Sequence, residues 1–193
     1  MVFPNGLAFL PSGKLLVTDS ATGQIFAVDP ASGATSVWKA DPALAGSAAC
    51  AAPLPFPIGA NGIVVAGSDV FVTNTSKGSI TRVAVAADGS AGALSTVLED
   101  CAYAGLAGVA RAADGSLVVA QNGAPGRLLR VSLGATPSVT ALVPGKPLDG
   151  PGSVAIASFG GKKTALVTST AFFTVGVDGG APAPALQAFA PLP

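Results

Sequence analysis

One pattern recurs four times along this chain and decides what it can fold into. A glycine-led entry runs into a short apolar stretch, a tight turn follows, and a β-branched run ends in polar residues. The first unit reads Asn5-Gly6-Leu7-Ala8-Phe9, Ser12-Gly13-Lys14, then Leu15-Leu16-Val17-Thr18-Asp19-Ser20. The second reads Asn61-Gly62-Ile63-Val64-Val65, Gly67-Ser68-Asp69, then Val70-Phe71-Val72-Thr73-Asn74-Thr75. The third reads Ala107-Gly108-Val109, Asp114-Gly115-Ser116, then Leu117-Val118-Val119-Ala120-Gln121-Asn122. The fourth is looser: Gly152-Ser153-Val154, Gly160-Gly161-Lys162-Lys163, then Ala165-Leu166-Val167-Thr168-Ser169-Thr170. The equivalent valines Val17, Val72, Val119 and Val167 are 55, 47 and 48 residues apart.

Each run has the length of an ordinary strand, about 5–6 residues. Ser12-Gly13, Asp88-Gly89 and Asp114-Gly115 carry hairpin-turn chemistry, because glycine accepts a positive φ without steric cost. A helical stripe longer than two turns is absent, and Pro30, Gly33 and their like interrupt any candidate. Four strands per unit, repeated at this period, predict an all-β chain built as blades of a β-propeller. In the first blade the predicted strands are 6–10, 15–19, 24–28 and 34–39. A generic β-sandwich has no need of the same glycine–strand–polar pattern four times. The blades are placed at about 3–40, 59–99, 105–144 and 150–180, within a propeller spanning 1–180. A Pro/Ala-rich tail, 181–193, is expected to be extended and weakly ordered.

Composition narrows the function. Of the 193 residues half are hydrophobic, enough to bury a sizeable core, and one domain is the default at this length. Only 10% are charged, against about 25% in an average soluble protein. Ten basic and ten acidic residues cancel, and no basic block exists to meet phosphates, which argues against nucleic acid. Histidine is absent, which excludes Ser-His-Asp and Cys-His catalysis and His-ligated zinc. The mean hydropathy of +0.62 hints at a membrane. The longest uncharged run, Pro42 to Ser68, is broken by Pro53, Pro55 and Pro57, so it cannot supply a spanning helix of about 20 residues. The opening Met1-Val2-Phe3-Pro4 has no basic region and no apolar core, so it does not read as a signal peptide. Cys50 and Cys101 both fall in connecting segments. They are two free thiols or one disulfide, and the compartment, extracellular or cytoplasmic, stays open with them.

The motif Pro4-Asn5-Gly6-Leu7-Ala8-Phe9, followed by Gly13-Lys14-Leu15-Leu16-Val17-Thr18-Asp19-Ser20, resembles the senescence marker protein (regucalcin)/gluconolactonase family. So does Gly59-Ala60-Asn61-Gly62-Ile63 followed by Phe71-Val72-Thr73-Asn74-Thr75. The resemblance covers residues 3 to about 178. It implies a six-bladed propeller whose enzymatic members hydrolyse lactones or related esters with one axial divalent metal, here Ca, Zn or Mn. It matches Asn5 to the metal-binding Asn. A later metal-binding Asp falls on Asn61 or on Ala107, and the early acidic ligand has no counterpart, so a carboxylate is missing either way. Four repeats stand where six are expected. Either two blades precede this chain or four close by themselves, and Met1 lies just before a motif that relatives carry mid-chain, which favours truncation. An open propeller would expose edge strands and an apolar flank, inviting self-association.

Candidate site residues follow. Asn5 and Asn61 occupy one repeat position before the innermost strand. They serve as ligands of a metal or small molecule, or each Asn-Gly makes a turn with Asn in the left-handed region. Asp19, Asn74, Gln121 and Ser169 end the second strand of each unit. With Ser20, Thr75, Asn122 and Thr170 they form a polar ring suited to hairpin capping and inter-blade hydrogen bonds. Asp19 is also the best carboxylate near the first repeat, and Asn74 its counterpart in the second. Asp29, Asp88, Asp114 and Asp178 read as turn residues, Glu99-Asp100 as a solvated loop, Lys162-Lys163 as a hairpin tip and Trp38 as outer-strand packing. Two functions remain. One is a metal-dependent lactone or ester hydrolase acting on a small molecule with an incomplete metal site. The alternative is a non-catalytic propeller that binds or scaffolds.

Overall fold

Strand-forming runs separated by turn-forming residues give four antiparallel sheets, each a simple meander. The computed structural model describes residues 1–50, 56–123, 125–142, 148–173 and 183–192. It divides into two compact units, Met1–Leu106 and Ala107–Pro193. No helix among the described residues is long and apolar enough to cross a membrane.

In the first unit, β1 (Pro4–Phe9), β2 (Leu15–Asp19), β3 (Gln24–Val28) and β4 (Thr35–Ala40) pair in sequence order. β5 (Ala60–Ala66), β6 (Asp69–Asn74), β7 (Ser79–Val85) and β8 (Ala91–Glu99) repeat that order. The middle strands β2 and β6 are apolar on both faces because both are covered: Leu16, Val70 and Val72 are fully or almost fully buried on one, Val17 and Phe71 nearly so on the other, and Ile25 of β3 is fully buried. Leu16, Ile25, Val70 and Val72 share one core with Leu10, Leu44, Ile63 and Val83, and Trp38 packs against it from β4. Trp38 also satisfies its indole N–H on the Gly89 carbonyl at 2.9 Å, as a half-buried tryptophan must.

The other face of the first sheet is covered at β2 and open at its outer strands. The register Leu7–Val17–Phe26–Val37 aligns four apolar residues across it, of which Val17 is buried. Leu7 is 63% and Val37 51% exposed. Phe9, next in line on β1, is 62% exposed. Exposed apolar side chains therefore gather on the outer strands of the β1 sheet.

The third sheet opens at the boundary between the units with β9 (Leu106–Arg111). It continues with β10 (Leu117–Gln121), β11 (Arg127–Ser132) and β12 (Ser138–Ala141). The fourth contains β13 (Pro151–Phe159), β14 (Lys162–Ser169) and β15 (Ala185–Phe189). Val118, Leu128, Leu148, Val154, Ala165 and Val167 form the core of the second unit. Four up-and-down sheets in this succession are the blades of an all-β propeller fold.

Several expectations need correction. Residues 185–189 are not a loose tail: they pair residue by residue with β14 from Ala185↔Ser169 to Phe189↔Ala165. Phe189 and Leu192 pack on the second core. The proline and alanine content hid an alternation in which Leu186 and Ala188 face out while Gln187 and Phe189 turn in. The hairpin tip in the fourth sheet is Gly160-Gly161, both at positive φ, and the two lysines begin β14. Asp178 and residues 181–182 lie outside the described residues. Of the two states left open for the cysteines, the disulfide is the one present: Cys50 and Cys101 are joined with Cα atoms 5.3 Å apart. A pairing across 51 residues of sequence is a tertiary fact that spacing alone does not encode.

Candidate functional site

The sequence-derived candidates of the first unit gather where β1 and β5 begin and where β2 and β6 end. Neither Asn-Gly pair makes a turn. Asn5-Gly6 lies in β1 and Asn61-Gly62 in β5, and the left-handed residues of the chain do not include either asparagine. Both pairs sit at a register shift, between Pro4 and Leu7 and between Ala60 and Ile63. Such bulges re-aim the backbone at strand ends. The freed Gly6 N–H goes to Thr18 Oγ1 at 2.8 Å and the Gly62 N–H to Thr73 Oγ1 at 2.8 Å. The fourth sheet repeats the device, Ser153 N–H donating to Thr168 Oγ1 at 3.0 Å.

The asparagine side chains have equivalent partners. Asn5 Nδ2 donates to Ser20 Oγ at 3.2 Å, and Asn61 Nδ2 donates to Thr75 Oγ1 at 2.8 Å. Each hydroxyl then donates onward to backbone: Ser20 Oγ to the Ala60 carbonyl at 2.7 Å, Thr75 Oγ1 to the Leu106 carbonyl at 2.8 Å. Thr18 Oγ1 likewise donates to the Asn61 carbonyl. Backbone bonds accompany them, Gly59 N–H to the Ser20 carbonyl at 2.8 Å and Gly105 N–H to the Thr75 carbonyl at 2.7 Å. Asparagine, hydroxyl and the next segment's carbonyl thus form a relay used twice in one unit. Asn5 is exposed and Asn61 is buried.

Asp19 is buried and heavily committed. One carboxylate oxygen accepts the N–H groups of Val2 and Phe3, the latter at 3.2 Å. The other accepts from Ala21 at 3.1 Å and Thr22 at 3.0 Å. Burial pushes this carboxyl up, but the amide donors of Thr22, Val2 and Phe3 together outweigh burial and hold it below the usual carboxylate range. Asn74, its counterpart, donates to the Ala43 and Ala45 carbonyls at 3.1 and 2.9 Å. It also accepts from Lys77 N–H at 3.1 Å. In the second unit Gln121 Oε1 accepts from Arg127 Nε at 2.7 Å, Ser169 Oγ bonds Gln187 Oε1 at 2.8 Å and Thr170 Oγ1 donates to the Gly150 carbonyl at 3.0 Å.

A divalent cation needs several hard oxygens, with carboxylates supplying most of the charge. The described residues do not supply that set. They contain no group of three or more His, Cys, Asp or Glu placed to hold a metal ion. Near Asn5 and Asn61 the charge available is Asp19, and its two oxygens already serve four amides. Among the described residues, Asn5 and Asn61 therefore lack the carboxylate set that an axial divalent metal needs.

Sequence reasoning passed over Thr18, Thr73 and Thr168. The signal was there: threonine precedes the terminal polar residue of the second strand in three of the four repeats, with Ala120 as the exception. It also passed over two clefts that lie at the other ends of the strands. One, of about 380 Å³, lies in the first unit among the turns at Pro11-Ser12, Gly67-Ser68 and Asp88-Gly89. The other, of about 500 Å³, lies in the second unit beside the β9–β10 and β13–β14 turns. Neither is lined by Asn5, Asn61, Asp19 or Asn74.

No protein-family model and no curated protein matches the sequence. Solved structures do resemble it in fold. Virginiamycin B lyase from Staphylococcus aureus covers 86% of this chain with a TM-score of 0.59 at 14% identity. A luciferin-regenerating enzyme covers 86% with a TM-score of 0.60 at 16% identity, and a nidogen/laminin complex 86% with 0.58 at 18%. The chain in turn spans about half the length of these structures: 48%, 53% and 56%. The likeness is one of fold, that of a β-propeller.

Proposed function

We propose that this chain is a non-catalytic β-propeller binding or scaffold module that keeps the gluconolactonase-like fold without a working metal centre. One observation carries the reading. At the expected axial site the Asp19 carboxylate and the Asn74 amide are spent on the backbone around them, and the Asn5 and Asn61 amide nitrogens on hydroxyls. A catalytic base has to be titratable and within reach of water or substrate, whereas the Asp19 carboxylate is buried and saturated with amide donors. The fold is shared by an enzyme, the luciferin-regenerating enzyme, and by a protein complex, that of nidogen and laminin, so fold alone decides nothing.

A second reading keeps the family resemblance: a metal-dependent hydrolase of lactones or esters. Its supporting observation is that the Oδ1 atoms of Asn5 and Asn61 accept no hydrogen bond among the described residues. Thermal unfolding with and without Ca²⁺, Zn²⁺ and Mn²⁺ separates the two. Binding at a hundredfold excess over Kd stabilises the folded state by about 2.7 kcal/mol. The binding-module reading expects no shift with any of the three. A shift that disappears in Asn5→Ala, joined by lactone hydrolysis, would overturn it in favour of the enzyme.

A further inference from the structure

The cleft of the second unit has the chemistry of an anion site. It is lined by Arg111, Asp114, Arg130, Ile156, Lys163 and Leu192 among others. Arg111 ends β9, and its guanidinium lies over the Asp114-Gly115 turn, 3.4 Å from where a β-carbon on Gly115 would stand. Lys163 comes from the facing β14, and Leu192 is tied to it by a backbone bond to the Lys163 carbonyl at 2.9 Å. Ile156 and Leu192 belong to the apolar cluster of the unit.

Charge in the cleft does not cancel. Arg130 pairs with Asp114 at 3.2 Å, so these two largely neutralise each other. Asp114 is further held by Ser116, through its N–H at 3.0 Å and its hydroxyl at 2.6 Å. Arg111 makes no ion pair and no side-chain hydrogen bond among the described residues. Among the described residues Lys163 Nζ reaches only the neutral Ser158 hydroxyl, at 3.0 Å. Two cations thus border a concave space with an apolar wall. Pockets of about 300–1,000 Å³ suit small molecules, and about 500 Å³ falls within that range.

We infer that this cleft binds a small organic carboxylate, its charged end between Arg111 and Lys163 and its apolar body against Ile156 and Leu192. The planar guanidinium fork matches a carboxylate in two-point geometry, and the ammonium adds a point charge. The apolar wall of Ile156 and Leu192 gives the hydrocarbon body of a carboxylate a contact that inorganic phosphate cannot make. The site shares no residue with the first-unit cluster, so it stands or falls apart from the metal question.

The test is calorimetric titration of the full chain with acetate, butanoate and hexanoate, with hexanamide and inorganic phosphate as comparisons. Affinity is expected to rise along the acids, by up to about fourfold per buried methylene. Hexanamide is expected not to bind. Arg111→Gln is expected to weaken hexanoate by about tenfold or more, the loss of hydrogen bonds to a charged group. Lys163→Gln, also at an exposed position, provides a second variant with the same expectation. Lys14→Ala, on the first unit, is expected to change nothing. Equal binding of hexanamide, phosphate binding as tight as hexanoate, or hexanoate binding untouched by either cleft variant would overturn the inference. So would an equal loss in Lys14→Ala, which would mean that only overall charge matters.

Discussion

Gly6 lies against the backbone of Asn61: a β-carbon on it would stand 2.5 Å from the Asn61 carbonyl oxygen and 3.0 Å from Ile63 Cγ2. Hydrogen is the only side chain that this approach admits, because the obstacle is backbone and cannot rotate away. Gly6→Ala must push β1 and β5 apart. Overpacking of this kind costs about 1–3 kcal/mol. Urea unfolding of Gly6→Ala beside Gly13→Ala separates close approach from conformational strain, since Gly13 sits at positive φ with open space around it. Gly13→Ala is expected to lose about 1 kcal/mol from the left-handed backbone alone, and Gly6→Ala more.

The Ser20 hydroxyl holds the Ala60 carbonyl at 2.7 Å inside the unit. Removing it in Ser20→Ala leaves a buried acceptor without its donor and takes away the Asn5 acceptor as well. The expected loss is about 1–3 kcal/mol. Ser90, whose hydroxyl reaches only the exposed Asp88 at 2.6 Å, is the matched control, with an expected change within about 0.5 kcal/mol. Denaturant midpoints that agree for the two variants would sink the relay as a stabilising device.

The contrast between these glycines and serines explains what could be read without coordinates. The blades were legible because their signals are local. Ser12-Gly13 and Asp114-Gly115 close turns through their own backbone preferences, and the predicted strands 15–19 and 24–28 are β2 and β3. The need for glycine at position 6 was not legible because its reason is a partner 55 residues away, the Asn61 carbonyl, and nothing near it in sequence announces that contact. The Cys50–Cys101 bond was hidden for the same reason. β15 was hidden by composition, since its pairing with β14 comes from tertiary packing that overrides weak propensity. Equivalence of Asn5 with Asn61 was legible from the repeat; that Ser20 and Thr75 receive them required the coordinates.

Acid should weaken the first unit through Asp19. Its carboxyl lies below the ordinary value in the folded state, and the unfolded chain returns it to about 3.9. The unfolded state therefore binds the proton first as pH falls. Stability from this group is complete above about pH 5 and is lost as pH drops through the unfolded and then the folded value. Asp29, Asp88 and Asp114 are shifted in the same direction by their turn hydrogen bonds, but they are exposed and water screens them. Asp19→Asn is expected to be less stable at pH 7 by about 1–2 kcal/mol and to show a shallower fall between pH 5 and pH 3. Urea midpoints across that range give both numbers. Parallel curves for the two proteins would show that another carboxylate governs the acid limb.

The disulfide ties the loop after the Pro42–Leu44 turn to the short 3₁₀ segment Cys101–Tyr103. Asp41 and Asp100 begin these two segments in the same way, each carboxylate accepting the N–H two residues on, at 3.0 and 2.8 Å. Between them Asn74 and Gly78 join strand ends to both: Asn74 through the Ala43 and Ala45 carbonyls, Gly78 through its carbonyl to Asp100 N–H at 3.3 Å. The covalent link therefore closes a part of the unit already held by hydrogen bonds. Its main effect should be on the unfolded chain, where the cysteines are 51 residues apart. Closing a loop of that length is worth up to about 4 kcal/mol in the chain-entropy picture, and about 2–4 is typical. Cys50→Ser/Cys101→Ser is expected to unfold at lower urea by that margin, with a steeper dependence on denaturant because its unfolded state exposes more surface. Dithiothreitol should bring the wild-type chain to the same midpoint as the double variant. A reduced chain as stable as the oxidised one would show that residual structure already holds these loops together when the rest has unfolded.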